Sequence, residues 1–229
     1  MLRRFGVDVT RYPGQQLEYR RICLLRHYGV TVVLDVGAAR GEYGEELRSL
    51  GYKGRIVSFE PLTSSFNSLR DKAARDLDWI VVRAAVGDAP GTATLNVAQN
   101  RNSSSLLPMM PQHVDAAPSS LYVGTEEVPV VRLDTAAYSH LAEKDRAFIK
   151  IDVQGYTRQV LMGAEGLLAR TVGIQVELSL APLYEGELLF REGLEELARY
   201  GFTLMGVEPG FAHPVSGRTL QVDAVFFRE

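Results

Sequence analysis

The run Asp35-Val36-Gly37-Ala38-Ala39-Arg40-Gly41 has the make-up of a ligand-binding turn. It follows a short β-branched stretch and opens a helical pattern. It therefore falls where an open α/β sheet receives its ligand, at the carboxyl end of a strand. Gly37 and Gly41 let the backbone turn sharply and approach a ligand with no side chain between. The free N–H groups of the following helix suit a carboxylate as well as a phosphate. The same two glycines also fit a merely tight strand-to-helix turn. Two features narrow the chemistry. The spacing is G-x-x-x-G, not the G-x-G-x-x-G that seats a dinucleotide pyrophosphate. Glu60 closes the next strand pattern, where its carboxylate can take both hydroxyls of an adenosine ribose, a placement that NAD sites share. With Asp35 expected to face an ammonium group, the combination favours S-adenosylmethionine, which has an amino-acid end and a ribose but no phosphate.

A second group of reactive side chains lies further along. In a strand of period two, Lys150 and Asp152 point to one face and Ile151 to the other. Two charges on an apolar strand are costly to bury unless paired or solvated in a cleft. Asp152 is therefore read as a site residue, with a structural Lys150–Asp152 ion pair as the alternative. Glu177, in IQVELS, ends the next strand in the corresponding place. A hydroxyl acceptor must lose its proton on methylation, so a carboxylate or imidazole within reach would act as base. Asp152 is the first candidate, Glu177 the second and His113, in MMPQHVDAAP, the third; a lone loop histidine is otherwise simply exposed. His27, His140 and His213 have less claim. Asp134, Asp152 and Glu177 could converge as oxygen ligands for Mg²⁺, although no spacing demands it. Met109 and Met110 either line an acceptor pocket or pack under a lid.

The elements that must hold these residues follow a strand–helix rhythm. A helix is expected over 15–28, with Leu17, Ile22, Leu24 and Leu25 near one side, within an N-terminal helical extension over 1–30. Strands are expected at VVLDV, RIVSFEP, WIVVRAAVG, TATLNVA, EVPVVRLDT, AFIKIDV, VGIQVELS, FTLMGVEP and VDAVFFRE. Helices fall between them, one over 64–74 capped by Thr63 or Ser64, others over 136–143, 156–169 and 188–200. Residues 99–124 read as a long loop, rich in Ser, Pro, Asn and Met and placed near the active site. The expected fold is α/β, a Rossmann-like doubly wound and mostly parallel seven-stranded sheet with an antiparallel C-terminal hairpin strand.

Composition agrees with that reading. The 229 residues suit one domain spanning 1–229, with no room for a separate substrate domain. With 25 basic against 28 acidic residues and no basic block, nucleic-acid binding has no electrostatic support. Cys23 stands alone, which excludes an intrachain disulfide framework and a cysteine zinc cluster. No apolar run has the length of a signal peptide or a membrane span, so a cytoplasmic protein is expected. The N-terminal helix either covers the sheet or contacts a second subunit in a homodimer.

Three segments resemble a known family, the FkbM-type methyltransferases within the class I S-adenosylmethionine-dependent enzymes. They are LDVGAARGEYG (34–44), SFEP (58–61) and FIKIDVQGYTRQVLMGAEGLL (148–168). The last is similar to the family's K-I-D-x-x-G hallmark and the V-L-x-G-A helix after it, and is fairly specific; the first is shared by many methyltransferases. Asn102–Leu106 and VDAVFFRE also resemble family features, so the likeness runs from about residue 31 to the C-terminus. Thr157 departs from the glutamate often found there, which removes one helix-start acid. The resemblance implies O-methylation of a hydroxyl on a sugar, glycolipid or polyketide-like metabolite. It implies that Asp35, Gly37, Ala38 and Gly41 surround the methionine part and that Glu60 and Pro61 hold the ribose. Ala85 and Val86 would lie near the adenine, Asp152 would touch cofactor and acceptor, and Ser104 would sit in a serine run that closes over the cofactor or is an ordinary polar loop. The competing readings are a single-domain NAD-dependent oxidoreductase and a non-catalytic S-adenosylmethionine-binding module, since fold does not fix function.

Overall fold

Short runs of β-branched residues, apolar on both sides, dictate a sheet covered on both faces. In the computed structural model, which describes residues 17–229 with side chains from Tyr19 onward, that sheet forms. The expected extension over residues 1–16 and the Leu17 side chain lie outside the described residues. In chain order the first elements are α1 (Leu17–His27), β1 (Val32–Val36), α2 (Glu42–Ser49), β2 (Arg55–Phe59), α3 (Thr63–Ala73), β3 (Trp79–Val82), β4 (Ala85–Val86) and β5 (Gly91–Ala98). They are followed by α4 (Pro111–Ala116), β6 (Tyr122–Val131), α5 (Leu133–Ala136), β7 (Ala147–Ile151), α6 (Thr157–Gly163) and α7 (Glu165–Leu168). The last are β8 (Thr171–Ser179), α8 (Phe190–Arg199), β9 (Thr203–Pro209) and β10 (Gln221–Phe227).

The main sheet has seven strands in the order β3-β2-β1-β7-β8-β10-β9. β1 pairs in parallel with β2 and β7, β7 with β8, and β2 with β3, whereas β10 runs antiparallel to both β8 and β9. The strand order reverses between β1 and β7. In such sheets the crevice outside the carboxyl ends of those strands is the ligand site.

Alternation along each strand assigns its two faces. Leu34, Val36, Ile149, Ile151, Ile174 and Val176 pack with residues of α6, α7 and α8. Val33, Ile56, Phe148 and Val225 pack with Ile22 and Leu25 of α1, Leu47 of α2 and Leu69 of α3. On this second face, polar residues share the apolar residues' parity and form a buried seam across the strands. Trp79 Nε1 donates to Ser58 Oγ at 3.0 Å and Ser58 Oγ to Asp35 Oδ2 at 3.0 Å. Lys150 Nζ stands 3.9 Å from Asp35 Oδ1, and Gln175 Nε2 donates to Asp223 Oδ1 at 3.0 Å.

Several expected elements come out differently. WIVVRAAVG is not one strand: its first half is β3 of the main sheet, and Ala85–Val86 form β4 in a second sheet of order β4-β6-β5. TATLNVA and EVPVV meet there as an antiparallel pair. Only every second residue is apolar, so Leu95, Val97, Val128 and Val130 form a small core of their own on one face. Residues 99–124 are not an unstructured loop, since they contain α4, a short 3₁₀ turn at Pro118–Ser120 and the start of β6. The helix expected over 156–169 is two short helices meeting at Ala164. Neither Thr63 nor Ser64 caps α3: Leu62 is the cap residue. The open N–H groups go to carboxylates instead, Leu62 N to Glu60 Oε1 at 2.9 Å and Thr63 N to Glu126 Oε1 at 3.1 Å.

Candidate active site

A cavity of about 520 Å³ opens at the carboxyl ends of β1, β2, β7 and β8, where the strand order reverses. Its two ends differ in construction.

The first end is made of backbone. The turn after β1 places Gly37, Ala39 and Gly41 at φ 80, 48 and 87°. A Cβ on Gly37 would sit 1.7 Å from the Asp152 carbonyl oxygen, so only glycine lets this turn touch the β7 turn. A Cβ on Gly41 would strike Leu69 and Trp79, on the core side. The glycines thus permit close chain-to-chain contact, and Gly37 does so while facing the cavity. Gly37 and Ala38 line the cavity, and Gly41 does not. Glu60 lines it as well, with Oε2 accepting from Ala39 N and Oε1 from Leu62 N, both at 2.9 Å. Burial pushes its carboxyl up to about 8, against the pull of those two N–H groups. Each oxygen keeps a further acceptor site, enough for two hydroxyl donors. Phe59, Pro61, Ala85, Val86, Leu95 and Leu106 supply the apolar walls.

The second end is made of side chains. Lys150 Nζ donates to Asp152 Oδ2 at 3.0 Å, so the ion pair and the cleft position of Asp152 are both present. Gln154 Nε2 bridges Asp152 Oδ1 at 2.7 Å and Glu177 Oε2 at 2.9 Å. Burial, then the Asp152 and Asp223 charges, hold the Glu177 carboxyl well above the usual range. Arg21 pairs with Glu46 and, at 3.0 Å, with Glu208, and lies over the Tyr43 ring. Tyr43 Oη donates to Gln175 Oε1 at 3.0 Å. Ser104 and Ser105 line the cavity from above; Ser105 Oγ donates to the Gln154 carbonyl at 2.6 Å and Ser104 Oγ to the Arg101 carbonyl at 2.7 Å.

Four expected residues are placed elsewhere. Asp35 does not line the cavity; it is fully buried beneath the turn, bonded to Ser58 and near Lys150, because its parity with Val33 turns it into the covered face. His113 is not at the cavity either. It is buried inside α4, its ring 5.1 Å from that of Tyr184 and 5.5 Å from that of Phe211, and burial pulls it down to about 4. Met109 joins the same apolar cluster, so it packs rather than lines a pocket. Asp134 does not converge with Asp152 and Glu177, because Arg132 holds it at 2.6 Å in the first turn of α5. Among the described residues no group of three or more His, Cys, Asp or Glu side chains is arranged to hold a metal.

Sequence reasoning missed Arg21, Tyr43, Gln154, Gln175, Glu208 and Asp223. A signal existed for some of them. Gln175 and Asp223 interrupt apolar strands at the parity of Lys150, and Arg21 stands one helical turn before Leu25 on the buried side of α1.

The comparisons with known proteins fit this geometry. The family model described as a methyltransferase FkbM domain matches residues 35–204. No curated protein matches the chain in sequence. Among solved structures, TehB from Haemophilus influenzae superposes with a TM-score of 0.51 at 8% identity, over 100% of this chain and 65% of that one. Precorrin-6y C5,15-methyltransferase from Geobacter metallireducens GS-15 gives 0.47 at 14% identity, over 98% and 95%. The Burkholderia thailandensis 1,6-didemethyltoxoflavin-N1-methyltransferase, solved with S-adenosylhomocysteine, gives 0.48 at 14% identity, over 93% and 79%. The likeness to TehB is one of fold. Among the described residues no helix is long and apolar enough to cross a membrane.

Proposed function

The chain belongs to the FkbM methyltransferase family, and from that premise we propose that it methylates a hydroxyl oxygen of a small polar acceptor with S-adenosylmethionine as donor. The observation that carries the reading is the union, in one hollow, of Glu60, its carboxylate anchored by two main-chain N–H groups, with a carboxylate pair at Asp152 and Glu177. A volume of about 520 Å³ falls in the range of small-molecule and cofactor sites, roughly 300–1,000 Å³.

The donor fits the first end. Glu60 would take the two ribose hydroxyls, Ala85 and Val86 would flank the flat base, and Gly37, Ala38 and Asp152 would surround the amino-acid part. When bound, S-adenosylmethionine supplies an electrophilic methyl group whose sulfonium leaves as a neutral thioether. The chain's own task is alignment and proton removal. The Asp152–Glu177 pair receives the hydroxyl proton as the oxygen–carbon bond forms. The two carboxyls act as a unit, joined through the Gln154 amide. Lys150 keeps a positive charge beside that unit.

The second end selects the acceptor. Arg21, Tyr43, Lys150, Gln175, Glu208 and Asp223 present charges and hydrogen-bonding groups there, with no aliphatic wall to match that of the first end. Among the acceptors the family resemblance implies, this favours a sugar or the sugar of a glycolipid over a flat polyketide ring.

The test is calorimetry with S-adenosylhomocysteine, followed by transfer of a labelled methyl group to panels of sugars and of aromatic alcohols. Binding of S-adenosylhomocysteine and methylation of a sugar hydroxyl are expected. Absence of binding, or tighter binding of a nicotinamide dinucleotide, overturns the reading; faster turnover of the aromatic panel overturns the acceptor assignment.

A further inference from the structure

Among the described residues Gln154 is one of three non-glycine residues with positive φ, at 51°, and it precedes Gly155 at φ 91°. Outside Gly, Asn and Asp, the left-handed region is an uncommon conformation that surrounding structure must hold. Four hydrogen bonds hold it here. The Nε2 group donates one N–H to Asp152 Oδ1 and the other to Glu177 Oε2, at 2.7 and 2.9 Å. Tyr184 Oη donates to Oε1 at 2.7 Å, and Ser105 Oγ donates to the main-chain carbonyl at 2.6 Å. The amide orientation follows from its partners, the Tyr184 hydroxyl donating to Oε1 and the two carboxyls facing the NH₂.

We propose that Gln154 is a positioning residue that clamps Asp152 and Glu177 at a fixed spacing and keeps them competent to receive a proton. This rests on the reading of that pair as the base. An amide between two carboxylates replaces their mutual repulsion with two charge-assisted hydrogen bonds. The neighbouring elements alone do not provide this. From β7 comes Lys150, which reaches only Asp152; from β1 comes the buried Asp35; from β10 come Asp223, a further acid, and Gln221, whose Nε2 donates to Glu177 Oε2 at 3.0 Å. From α1 and α2, Arg21 and Tyr43 engage Glu46, Glu208 and Gln175 instead. The Tyr184 hydroxyl, after β8, is spent on Gln154 and on the Ser103 carbonyl. Without the amide, the Glu177 carboxyl would face the Asp152 charge directly and would hold its proton to higher pH.

The experiment is a pH titration of ¹³C-labelled side-chain carboxyls by NMR on the full chain, which needs neither donor nor acceptor. Asp152→Asn and Glu177→Gln serve to assign the two signals. Gln154→Leu deletes the amide; Gln154→Gly deletes it while relieving the left-handed backbone, so a foldable variant is available. The Glu177 midpoint is expected to rise by about one unit or more in both variants, with Gln154→Gly melting no lower than Gln154→Leu. Unmoved midpoints in either variant overturn the proposal. Failure of the wild type to bind S-adenosylhomocysteine overturns the methyltransfer reading instead, and the titration still decides whether Gln154 clamps the pair.

Discussion

The two ends of the cavity are built by opposite rules. At the cofactor end, the groups come from contiguous chain, the β1 turn and the Phe59–Leu62 corner, and main-chain N–H groups fix Glu60 in place. At the acceptor end each strand or helix gives one or two side chains, from Arg21 on α1 to Asp223 on β10, and they are tied to one another rather than to backbone. The contrast teaches where change is tolerated. The backbone-defined end cannot drift without breaking the turn against Asp152, so it suits a ligand that stays the same. The side-chain end can be altered one residue at a time, so it suits a ligand that differs between relatives.

The sharpest way to break this division is at Asp152, which stands on the border. Asp152→Asn is expected to lower kcat by ~10²–10⁴, the usual range for a general base, with a far smaller fall in S-adenosylhomocysteine affinity by calorimetry. An equal fall in both would move Asp152 to the cofactor end. Glu60→Gln should do the reverse, weakening S-adenosylhomocysteine by about 10–100-fold, as for lost hydrogen bonds to a charged group. Glu60 also gives a pH signature. Its carboxyl is raised from 4.5 to about 8 in the fold, so between those values the native state holds a proton that the unfolded chain releases. Stability of the unliganded wild type therefore falls as pH rises across that window. Cofactor affinity rises over the same window, because the ionised form accepts both hydroxyls. Glu60→Gln should flatten that rise.

The same contrast explains what could be read from sequence. The backbone-built end was legible because Gly37, Ala38 and Glu60 lie in short segments next to apolar strands, and local pattern suffices for local structure. Lys150 and Asp152 were legible by parity, and parity also held the clue that Asp35 turns inward with Val33. What stayed hidden depends on distant partners. The N–H groups opening α3 are satisfied by Glu60 and Glu126 rather than by a nearby hydroxyl, which no cap rule reveals. The second sheet arises because β5 and β6 are apolar on one side only, a pattern equally compatible with an edge strand of the main sheet. Residues 99–124 looked featureless because α4 is too short to show a helical period.

Arg21 measures how far the acceptor end is a network. Its guanidinium is buried and braces α1 to Glu46 on α2 and Glu208 on β9. Arg21→Met keeps the packing and strands two acids, one of them half-exposed, so a loss of about 1–3 kcal/mol is expected in chemical denaturation. The KM for the acceptor should rise while S-adenosylhomocysteine affinity holds. If affinity for the cofactor falls instead, the two ends are coupled through α1.

The smallest effect is expected at His113, and it separates support from chemistry. A base at this position would make His113→Phe as damaging as Asp152→Asn. The ring instead packs on Tyr184, whose hydroxyl meets Gln154, so it touches the acceptor end only from behind. His113→Phe keeps an aromatic ring beside Tyr184 and Phe211 and removes a buried Nδ1 that has no hydrogen-bond partner. kcat/KM near neutral pH should therefore change little. The difference appears in acid. Burial lowers His113 from 6.5 to about 4, so between those values the unfolded chain binds the extra proton and wild-type stability falls as pH drops. Melting curves of the variant should lose that part of the acid slope. A large loss of turnover with an unchanged acid slope would put the histidine in the chemistry and leave the acceptor end with a base other than its carboxylate pair.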